Sequence, residues 1–366
     1  MRHDRRNSRT YWIIASAVGV VTALVIWQFW PEGKPAGSPD ANTNKPAPRA
    51  DTKKTSPPIV HVGGKAPSGS VPPKPDANAA PADLGLAVAS DANAAITQIW
   101  AIPAATAVRL VDQGNQLLSQ DKKIQGRAVL TKALLSEKLS QASAAAVRAK
   151  LEALADEMIF SRNVVDGDPY TATYTFAKLE VLTRVERKLS LRVPNQIVLK
   201  INKLSSGTQI QAGQTIKVIR GPFHAIVDKS DFTMDIFLCH DGSDPVFIKR
   251  VRVGLGKNGY DTPAGLWQIN GKTERTPWYP PANAEQQHAI ACDQPGYPLG
   301  KKGYWLGLKG IDQHTASADS YGIHGTNEPD SIGRAASLGC IRLADADIEL
   351  VFFLLYDQRS TVRVKP

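Results

Sequence analysis

The sequence predicts a multi-domain chain that combines an α-helical segment, a small βααβ unit and a mainly-β C-terminal region. Two observations predict this class. Apolar residues recur at helical intervals between residues 84 and 161, and from Pro222 onward the apolar period changes to two, which is typical of strands. The chain has 366 residues, enough for about two or three domains of ordinary size.

The N-terminus has the pattern of a membrane anchor. Residues 11–30 are almost entirely apolar, and at about 1.5 Å per residue this run is about 30 Å long, the thickness of a hydrocarbon core. Residues 1–10 are rich in arginine, which predicts a cytoplasmic tail. A cleaved signal peptide is the alternative, although its apolar region is normally shorter. We expect an uncleaved, single-pass anchor in the inner membrane, with everything after Trp30 in the periplasm.

Residues 31–83 are predicted to be a disordered linker. They hold twelve of the chain's 25 prolines and no aromatic residue, so they cannot bury enough apolar surface to fold. The whole chain is moderately basic, with 44 Lys and Arg against 34 Asp and Glu. Because no Lys/Arg run with interleaved aromatic residues is present, we do not expect nucleic-acid binding. An anionic cell envelope fits the charge as well.

Residues 84–161 are rich in alanine and leucine and are predicted to be helical. The placement of Gly114 and of residues 128–133 resembles one tetratricopeptide-like (TPR-like) hairpin. Arrays of such repeats normally need several copies. We therefore expect a helical spacer packed on its neighbours, with partner binding as the alternative.

The next segment, residues 173–220, alternates between strand and helix patterns. A strand-like stretch around Tyr174 is followed by two helix-like segments, an Ala-Gly-Gln turn at Gly213 and a second strand at Ile216. This layout resembles a LysM domain, a βααβ module that binds N-acetylglucosamine in peptidoglycan. Leu179-Glu180 replaces the usual Gly-Asp of its first loop, so a glycan-binding module and a degenerate structural one both stay open.

Residues 222–366 are predicted to be mainly strands. Apolar stretches at 225–227, 232–238 and 245–254 are separated by Asp-containing turns. Three glycines formally match a dinucleotide fingerprint, but no βαβ unit surrounds them, and we expect no cofactor; they are Gly254, Gly256 and Gly259. Four histidines share no spacing typical of a metal site, so no metal is expected; they are His224, His240, His288 and His314.

Two features of this region stay open from the residues alone. The irregular, proline-rich residues 273–298 favour a loop over a neighbouring cleft, in which Trp278, Tyr279 and Tyr297 are candidate lining residues. Cys239 and Cys292 either pair or remain inert buried thiols, because three cysteines are too few for a disulfide framework.

The candidate chemistry lies between residues 321 and 343. Cys340 follows Gly339, and His324 lies upstream beside Gly325. An imidazole is the usual base that converts a thiol into a nucleophilic thiolate, and the glycines allow the backbone to approach a substrate closely. Backbone N–H groups at 338–340 suit an oxyanion hole for a tetrahedral acyl intermediate. The alternative is a buried structural cysteine near an unrelated histidine.

The full pattern is His-Gly-Thr followed by Ser-x-Gly-Cys-Ile-Arg. It resembles the active-site signature of L,D-transpeptidases, the YkuD-like enzymes of bacterial cell-wall synthesis. The resemblance covers residues 222–366 and implies a sandwich-like β domain in which Cys340 is the nucleophile and His324 the base. Gly325 is implied as the carbonyl that orients the imidazole, and Gly339 belongs to the same catalytic motif.

The same resemblance implies substrate contacts and a reaction. Thr326, Ser337 and Arg342 are the candidate substrate-binding residues, with Arg342 suited to a substrate carboxylate. Leu338 stands where several members of the family carry a second histidine, which leaves His324 as the sole candidate base.

The implied substrate is a peptidoglycan stem tetrapeptide. Cys340 attacks the carbonyl of its third, L-centred residue, terminal D-alanine leaves, and an amine from another stem resolves the thioester as a 3→3 cross-link. Two alternatives stay open. Water as the acceptor makes an L,D-carboxypeptidase, and a decayed site makes a non-catalytic wall-binding scaffold, against which the intact signature argues.

Overall fold

The structure is a computed structural model that describes residues 102–240, 243–280 and 288–366. The predicted tail, anchor and linker, residues 1–83, lie outside these ranges, as does the beginning of the predicted helical segment. Within the described ranges, no helix combines the length and the apolar character needed to cross a bilayer.

Three consecutive helices open the described part and lie within the segment 84–161 that the sequence predicts to be helical. They are α1 (Ala104–Ser119), α2 (Lys123–Leu135) and α3 (Gln141–Ala155). The Ser140 side chain caps α3 by accepting the Ser143 N–H at 3.2 Å, as serine does at the beginning of many helices. Glycines bring α1 and α2 together, because a Cβ on Gly114 would lie 2.6 Å from the Leu130 side chain.

The helical segment packs on the C-terminal sheet. Leu130 of α2 and Leu151 of α3 belong to one apolar cluster with Phe237 and Phe247 of the sheet. The buried Thr131 hydroxyl accepts the Phe247 N–H at 3.2 Å. This face of the helical segment is therefore occupied by the chain itself.

A βααβ unit follows, with the order that the sequence predicts. It consists of β1 (Thr171–Thr175), α4 (Leu182–Leu189), α5 (Asn195–Ile201) and β2 (Thr215–Ile219). β1 and β2 pair antiparallel. The buried Lys217 ammonium of β2 donates to the carbonyls of Met158 and Ser161 at 2.6 and 3.0 Å, which ties this unit to the end of the helical segment.

The C-terminal region is β-rich, as predicted. Its strands are β3 (Phe223–Asp228), β4 (Thr233–Leu238), β5 (Val246–Arg252), β6 (Leu255–Gly256), β7 (Gly265–Thr273), β8 (Trp305–Gly310), β9 (Tyr321–Gly325), β10 (Ala335–Ser337), β11 (Ile341–Leu343) and β12 (Thr361–Lys365). Eight of them form one mixed sheet in the order β11-β9-β8-β7-β12-β3-β4-β5. The second sheet of this region is the short parallel pair β6–β10.

The last helix, α6 (Asp345–Leu354), packs against the sheet through Ile348, Val351 and Phe352. Ala344 occupies the cap position of this helix without a side-chain bond. The carboxylate of the next residue, Asp345, accepts the Lys301 N–H at 3.1 Å, which fastens the loop before β8.

Cys239 and Cys292 are both buried, and neither forms a disulfide bond. The open question of their pairing is thereby answered in favour of separate thiols.

Candidate active site

Two neighbouring parallel strands bring the predicted nucleophile and base together. The β9–β11 pairing sets His324 opposite Arg342. Cys340 directly precedes β11 and comes two residues before Arg342, so side-chain alternation, continued by one residue, places it on the face that carries Arg342 and His324. The Gly322 N–H reaches the thiol, and the thiol itself donates weakly to the Ser320 carbonyl at 4.0 Å.

His324 is held in one tautomer. Its side chain is almost completely buried, with 6% of the residue exposed, and Nδ1 lies 2.6 Å from the Gly325 carbonyl oxygen. Because a carbonyl only accepts, Nδ1 carries the proton and Nε2 is the nitrogen left to accept one. The Gly325 carbonyl thus has the geometry of the orienting group that the motif implies.

The electrostatics keep both groups neutral in the resting protein. Burial lowers the pKa of His324 to about 4, with a smaller lowering by Arg342, while the Gly325 carbonyl opposes the shift. Burial also raises the pKa of the Cys340 thiol, against the Gly322 N–H and Arg342, which lower it. The pair is therefore suited to general-base activation during attack rather than to a preformed thiolate–imidazolium pair.

Ser337 stabilises residues 337–340, the nucleophile loop, from their buried side. Its buried hydroxyl donates to the Cys340 carbonyl at 2.6 Å and accepts the Gly339 N–H at 3.1 Å. The motif implies a substrate contact for Ser337, whereas the structure places its hydroxyl beneath the loop. Since the Gly339 N–H is used here, Leu338 and Cys340 are the expected oxyanion donors that remain.

Gly339 itself must be glycine. Its φ is +117°, and a Cβ would lie 2.8 Å from the Tyr321 ring. The next residue can therefore present its thiol at a turn that a side chain would obstruct. Leu338, on the other side of Gly339, is 53% exposed beside the site.

The glycines of the formal fingerprint at 254–259 lie close to the segments that support the nucleophile loop. A Cβ on Gly254 would lie 3.3 Å from the Arg342 Cβ, and one on Gly256 would lie 2.7 Å from the Thr262 nitrogen. The buried Thr262 hydroxyl accepts the Gly256 N–H at 3.0 Å and donates to the Gly339 carbonyl at 2.8 Å. No local pattern in the sequence indicates that Thr262 holds the loop that carries Cys340.

Thr326 and Arg342 flank the site in different ways. Thr326, a predicted substrate contact, is buried, and its hydroxyl accepts the Glu328 N–H at 3.0 Å, so it shapes the beginning of the loop after β9. Arg342 is half-buried and pairs with Glu328 at 2.6 Å. Its charge nevertheless acts on both His324 and Cys340.

Trp305 is a second residue that the sequence analysis does not single out. It lies opposite His324 in the β8–β9 ladder, and its ring is stacked on the imidazole with centroids 5.6 Å apart and planes inclined by 11°. A strand pattern places Trp305 in the sheet, but only the register reveals that it covers the base.

The described part of the loop 273–298 builds a small apolar cluster rather than an aromatic lining. Tyr297 is buried and its hydroxyl donates to the Thr276 carbonyl, while Trp278 packs on the same cluster. Tyr279 is 72% exposed. Across the described ranges, no group of three or more His, Cys, Asp or Glu side chains is placed to hold a metal ion.

Comparisons with known proteins agree with this site. Residues 222–364 match the YkuD family, described as the L,D-transpeptidase catalytic domain. The chain is 31% identical over 163 residues to a protein of Bacillus licheniformis named as L,D-transpeptidase YkuD, which covers 43% of this chain and 78% of that protein. Identity to the corresponding Bacillus subtilis protein is 31% over 180 residues, covering 47% and 87%.

Solved structures give weaker likenesses. An L,D-transpeptidase from Mycobacterium tuberculosis aligns with a TM-score of 0.28 and 16% identity, covering 43% of this chain and 64% of that one. One from Mycobacterium smegmatis aligns with a TM-score of 0.30 and 12% identity, covering 54% and 91%. At these TM-scores neither likeness bears on the assignment.

Proposed function

This chain belongs to the YkuD family of L,D-transpeptidases, and we propose that it cross-links peptidoglycan stems by acyl transfer through Cys340. The observation that supports this most is the tautomer of His324. With Nδ1 bound to the Gly325 carbonyl at 2.6 Å, Nε2 is the ring nitrogen left to accept the thiol proton.

In the acylation step, Cys340 Sγ attacks the carbonyl carbon of the third, L-centred residue of a tetrapeptide stem. The thiol proton moves to His324 Nε2, and the oxygen charge of the tetrahedral intermediate is met by backbone N–H groups of Leu338 and Cys340. The C–N bond to D-alanine then breaks, and the imidazolium returns its proton to the leaving amine. A thioester on Cys340 remains.

In the second step, an amine of another stem attacks the thioester. His324 takes a proton from that amine, the C–S bond breaks, and the thiol regains its proton as the 3→3 cross-link forms. Water in place of the amine gives an L,D-carboxypeptidase with the same residues in the same roles.

The test uses the full-length chain in detergent micelles, incubated with disaccharide tetrapeptide and read by mass spectrometry beside Cys340→Ala. Cross-linked dimers that the variant does not form support the transpeptidase. Shortened tripeptides without dimers favour the carboxypeptidase. Unchanged substrate in both samples, with retained binding to wall sacculi, leaves only the scaffold.

For the βααβ unit we propose a LysM-type role in binding the glycan strand. The loops that shape a glycan groove meet in this unit, since the Phe176 carbonyl accepts the Gly213 N–H at 2.8 Å. In the first loop the Glu180 carboxylate accepts the Tyr174 hydroxyl at 2.8 Å and the Ala177 N–H at 3.0 Å, which leaves Leu179 85% exposed. An apolar tip of this kind suits the face of a sugar ring.

Sedimentation with purified sacculi tests this role in the Cys340→Ala background, where the wall is not consumed. Leu179→Asp lowers the sedimented fraction if the loop binds glycan, and because Leu179 is exposed the change costs little stability. Equal sedimentation of both proteins identifies the unit as structural.

For location we propose a single-pass inner-membrane protein, anchored by residues 11–30, with the catalytic domain in the periplasm. Protease treatment of intact spheroplasts degrades the catalytic domain under this proposal. A protected domain, or a protein that alkaline carbonate releases from membranes, contradicts it.

A further inference from the structure

Trp305 covers one face of the base. In an antiparallel ladder, directly opposite residues project to the same side of the sheet, and Trp305 is opposite His324. The two rings are nearly parallel, inclined by 11°, with centroids 5.6 Å apart. One broad face of the imidazole is therefore closed to water.

The same indole lies over the strand segment that meets the nucleophile. A Cβ on Gly322 would lie 2.6 Å from Trp305 Cη2 and 2.8 Å from Cε2, so the ring occupies the space that any side chain at 322 would need. The Gly322 N–H in turn reaches the Cys340 thiol. One ring thus contacts both the base and the backbone that supports the thiol.

Trp305 also contacts the loop that precedes β8. It packs on the apolar cluster of the preceding loop, formed by Ile290, Cys292, Tyr297 and Leu299. That loop also touches the base motif directly, because a Cβ on Gly325 would lie 2.9 Å from the Leu299 carbonyl oxygen. The indole is therefore held between this loop cluster and His324.

We propose that Trp305 is a positioning residue that fixes the plane of the His324 imidazole and so keeps Nε2 directed at Cys340. A single hydrogen bond at Nδ1 restricts the ring in its plane but leaves it free to tilt. Stacking on a wide, supported ring removes that tilt. When His324 takes the thiol proton, the indole face also stabilises the imidazolium, since cations are attracted to aromatic faces.

This inference rests on the proposed function, in which His324 is the base. The stacked indole also explains the burial of the His324 imidazole, whose pKa is about 4. Removing the indole admits water to the imidazole, and the loss of desolvation outweighs the lost cation–π attraction. The pKa of His324 then moves up toward its ordinary value.

The experiment compares three variants of the full-length chain: Trp305→Leu, Trp305→Phe and the matched control Trp278→Leu. Trp278 packs on the same loop cluster and is the control for loss of an indole from that cluster. We expect Trp305→Leu to lower kcat about 30-fold with little change in KM, as misplacement of a catalytic group does. Trp305→Phe retains the stack and most of kcat, and Trp278→Leu changes thermal stability without this loss of kcat.

A second readout follows the ring itself. The imidazole ¹⁵N shifts of His324 report its tautomer and its pKa. We expect the Nδ1–H form and the low pKa to persist in Trp305→Phe and Trp278→Leu, and mixed tautomers with a raised pKa in Trp305→Leu. If Trp305→Leu does not fold, Trp305→Met tests the same loss with an unbranched, gap-filling side chain.

The inference is overturned if Trp305→Leu and Trp278→Leu lose kcat equally, or if neither shifts the His324 resonances. This failure is distinct from failure of the proposed function. The latter shows as activity retained in Cys340→Ala, whereas the former leaves Cys340 and His324 essential and Trp305 merely structural.

Discussion

The Thr262 hydroxyl donates to the Gly339 carbonyl at 2.8 Å, which joins the turn after β6 to the residue before the nucleophile. The same hydroxyl accepts the Gly256 N–H at 3.0 Å, so both of its hydrogen-bonding functions are used within a buried site. Ser337 holds the loop through Cys340 and the Gly339 N–H. Thr262 and Ser337 together fix the backbone from which the thiol projects.

Thr262→Val keeps the shape of the side chain and removes both bonds. The Gly256 N–H is then buried without its partner, which costs about 1–3 kcal/mol of stability. We expect kcat to fall about tenfold as the nucleophile loop loosens, while Thr262→Ser, which keeps the hydroxyl, retains most activity. Steady-state kinetics and urea unfolding measure the two effects. Equal activity of the Val and Ser variants would show that the bond does not position Cys340.

The low pKa of His324 sets the acid limit of activity. The base must be neutral, and burial holds its pKa at about 4 rather than the ordinary 6.5. We therefore expect kcat/KM to remain high at pH 5 and to fall only as pH approaches about 4. A fall centred near pH 6.5 would indicate a solvated imidazole.

The same shift makes stability depend on pH. Between pH 4 and 6.5 the unfolded chain binds a proton at His324 that the folded chain does not, so the free energy of unfolding rises with pH across this window and levels off above it. A shift from 6.5 to about 4 corresponds to about 3 kcal/mol. The difference between wild type and His324→Asn in chemical denaturation isolates this contribution, and an unchanged pH slope in the variant would contradict it.

The raised pKa of Cys340 predicts slow reaction with small alkylating agents near neutral pH. Only the thiolate reacts, and burial disfavours it. We expect the rate of labelling by iodoacetamide to keep rising above pH 9, measured in a Cys239→Ser, Cys292→Ser background so that Cys340 is the only thiol. A rate that is already at its plateau at pH 7 would show a preformed thiolate.

Local motifs carried the prediction of the reacting pair. Glycine next to Cys340 and His324 is visible in the chain itself, and period-two alternation identified the strands at 232–238 and 245–254, which are confirmed as β4 and β5. The residues that support Cys340 and His324 could not be predicted from local motifs. Thr262 reaches Gly339 across 77 positions, and Trp305 meets His324 only through the β8–β9 register.

The order of the strands in the sheet is likewise not visible in local motifs. β12 is last in the chain yet lies between β7 and β3, parallel to β3 and antiparallel to β7. Its alternation predicts a strand but contains no information about its neighbours, because sheet order is decided by the packing of both faces and by the connections. The roles of motif residues such as Thr326 and Ser337 are open in the sequence for a related reason, since a position beside a nucleophile serves either substrate or loop.

Arg342 supplies a positive charge near both reacting groups while it pairs with Glu328 at 2.6 Å. Arg342→Gln removes that charge, so we expect the pKa of His324 and the pKa of Cys340 both to rise, and KM to increase if a substrate carboxylate binds there. Glu328→Gln is the control, since its carboxylate is exposed and such pairs stabilise by about 0–1 kcal/mol. It leaves Arg342 free and is expected to lower KM. An identical effect of both variants on KM would exclude Arg342 from substrate binding.

The helical segment and the βααβ unit are joined by a buried ion pair. Arg127 Nη2 lies 2.7 Å from Asp168 Oδ1, and the two side chains are 1% and 0% exposed. The same carboxylate accepts the Thr171 hydroxyl at 3.0 Å, so removing it leaves several donors without a partner. We expect Asp168→Ala to destabilise the chain by about 3–5 kcal/mol in urea unfolding.

Glu157→Gln is the matched control for that measurement. Glu157 forms a partly exposed ion pair with Lys123, which lies in α2 as Arg127 does. Loss of an exposed pair changes stability by about 0–1 kcal/mol. If Asp168→Ala is no more destabilising than Glu157→Gln, the two segments are held by apolar packing alone. If the larger loss is seen and the catalytic domain unfolds at the same urea concentration as the helices, the ion pair supports one cooperative unit that includes the active site.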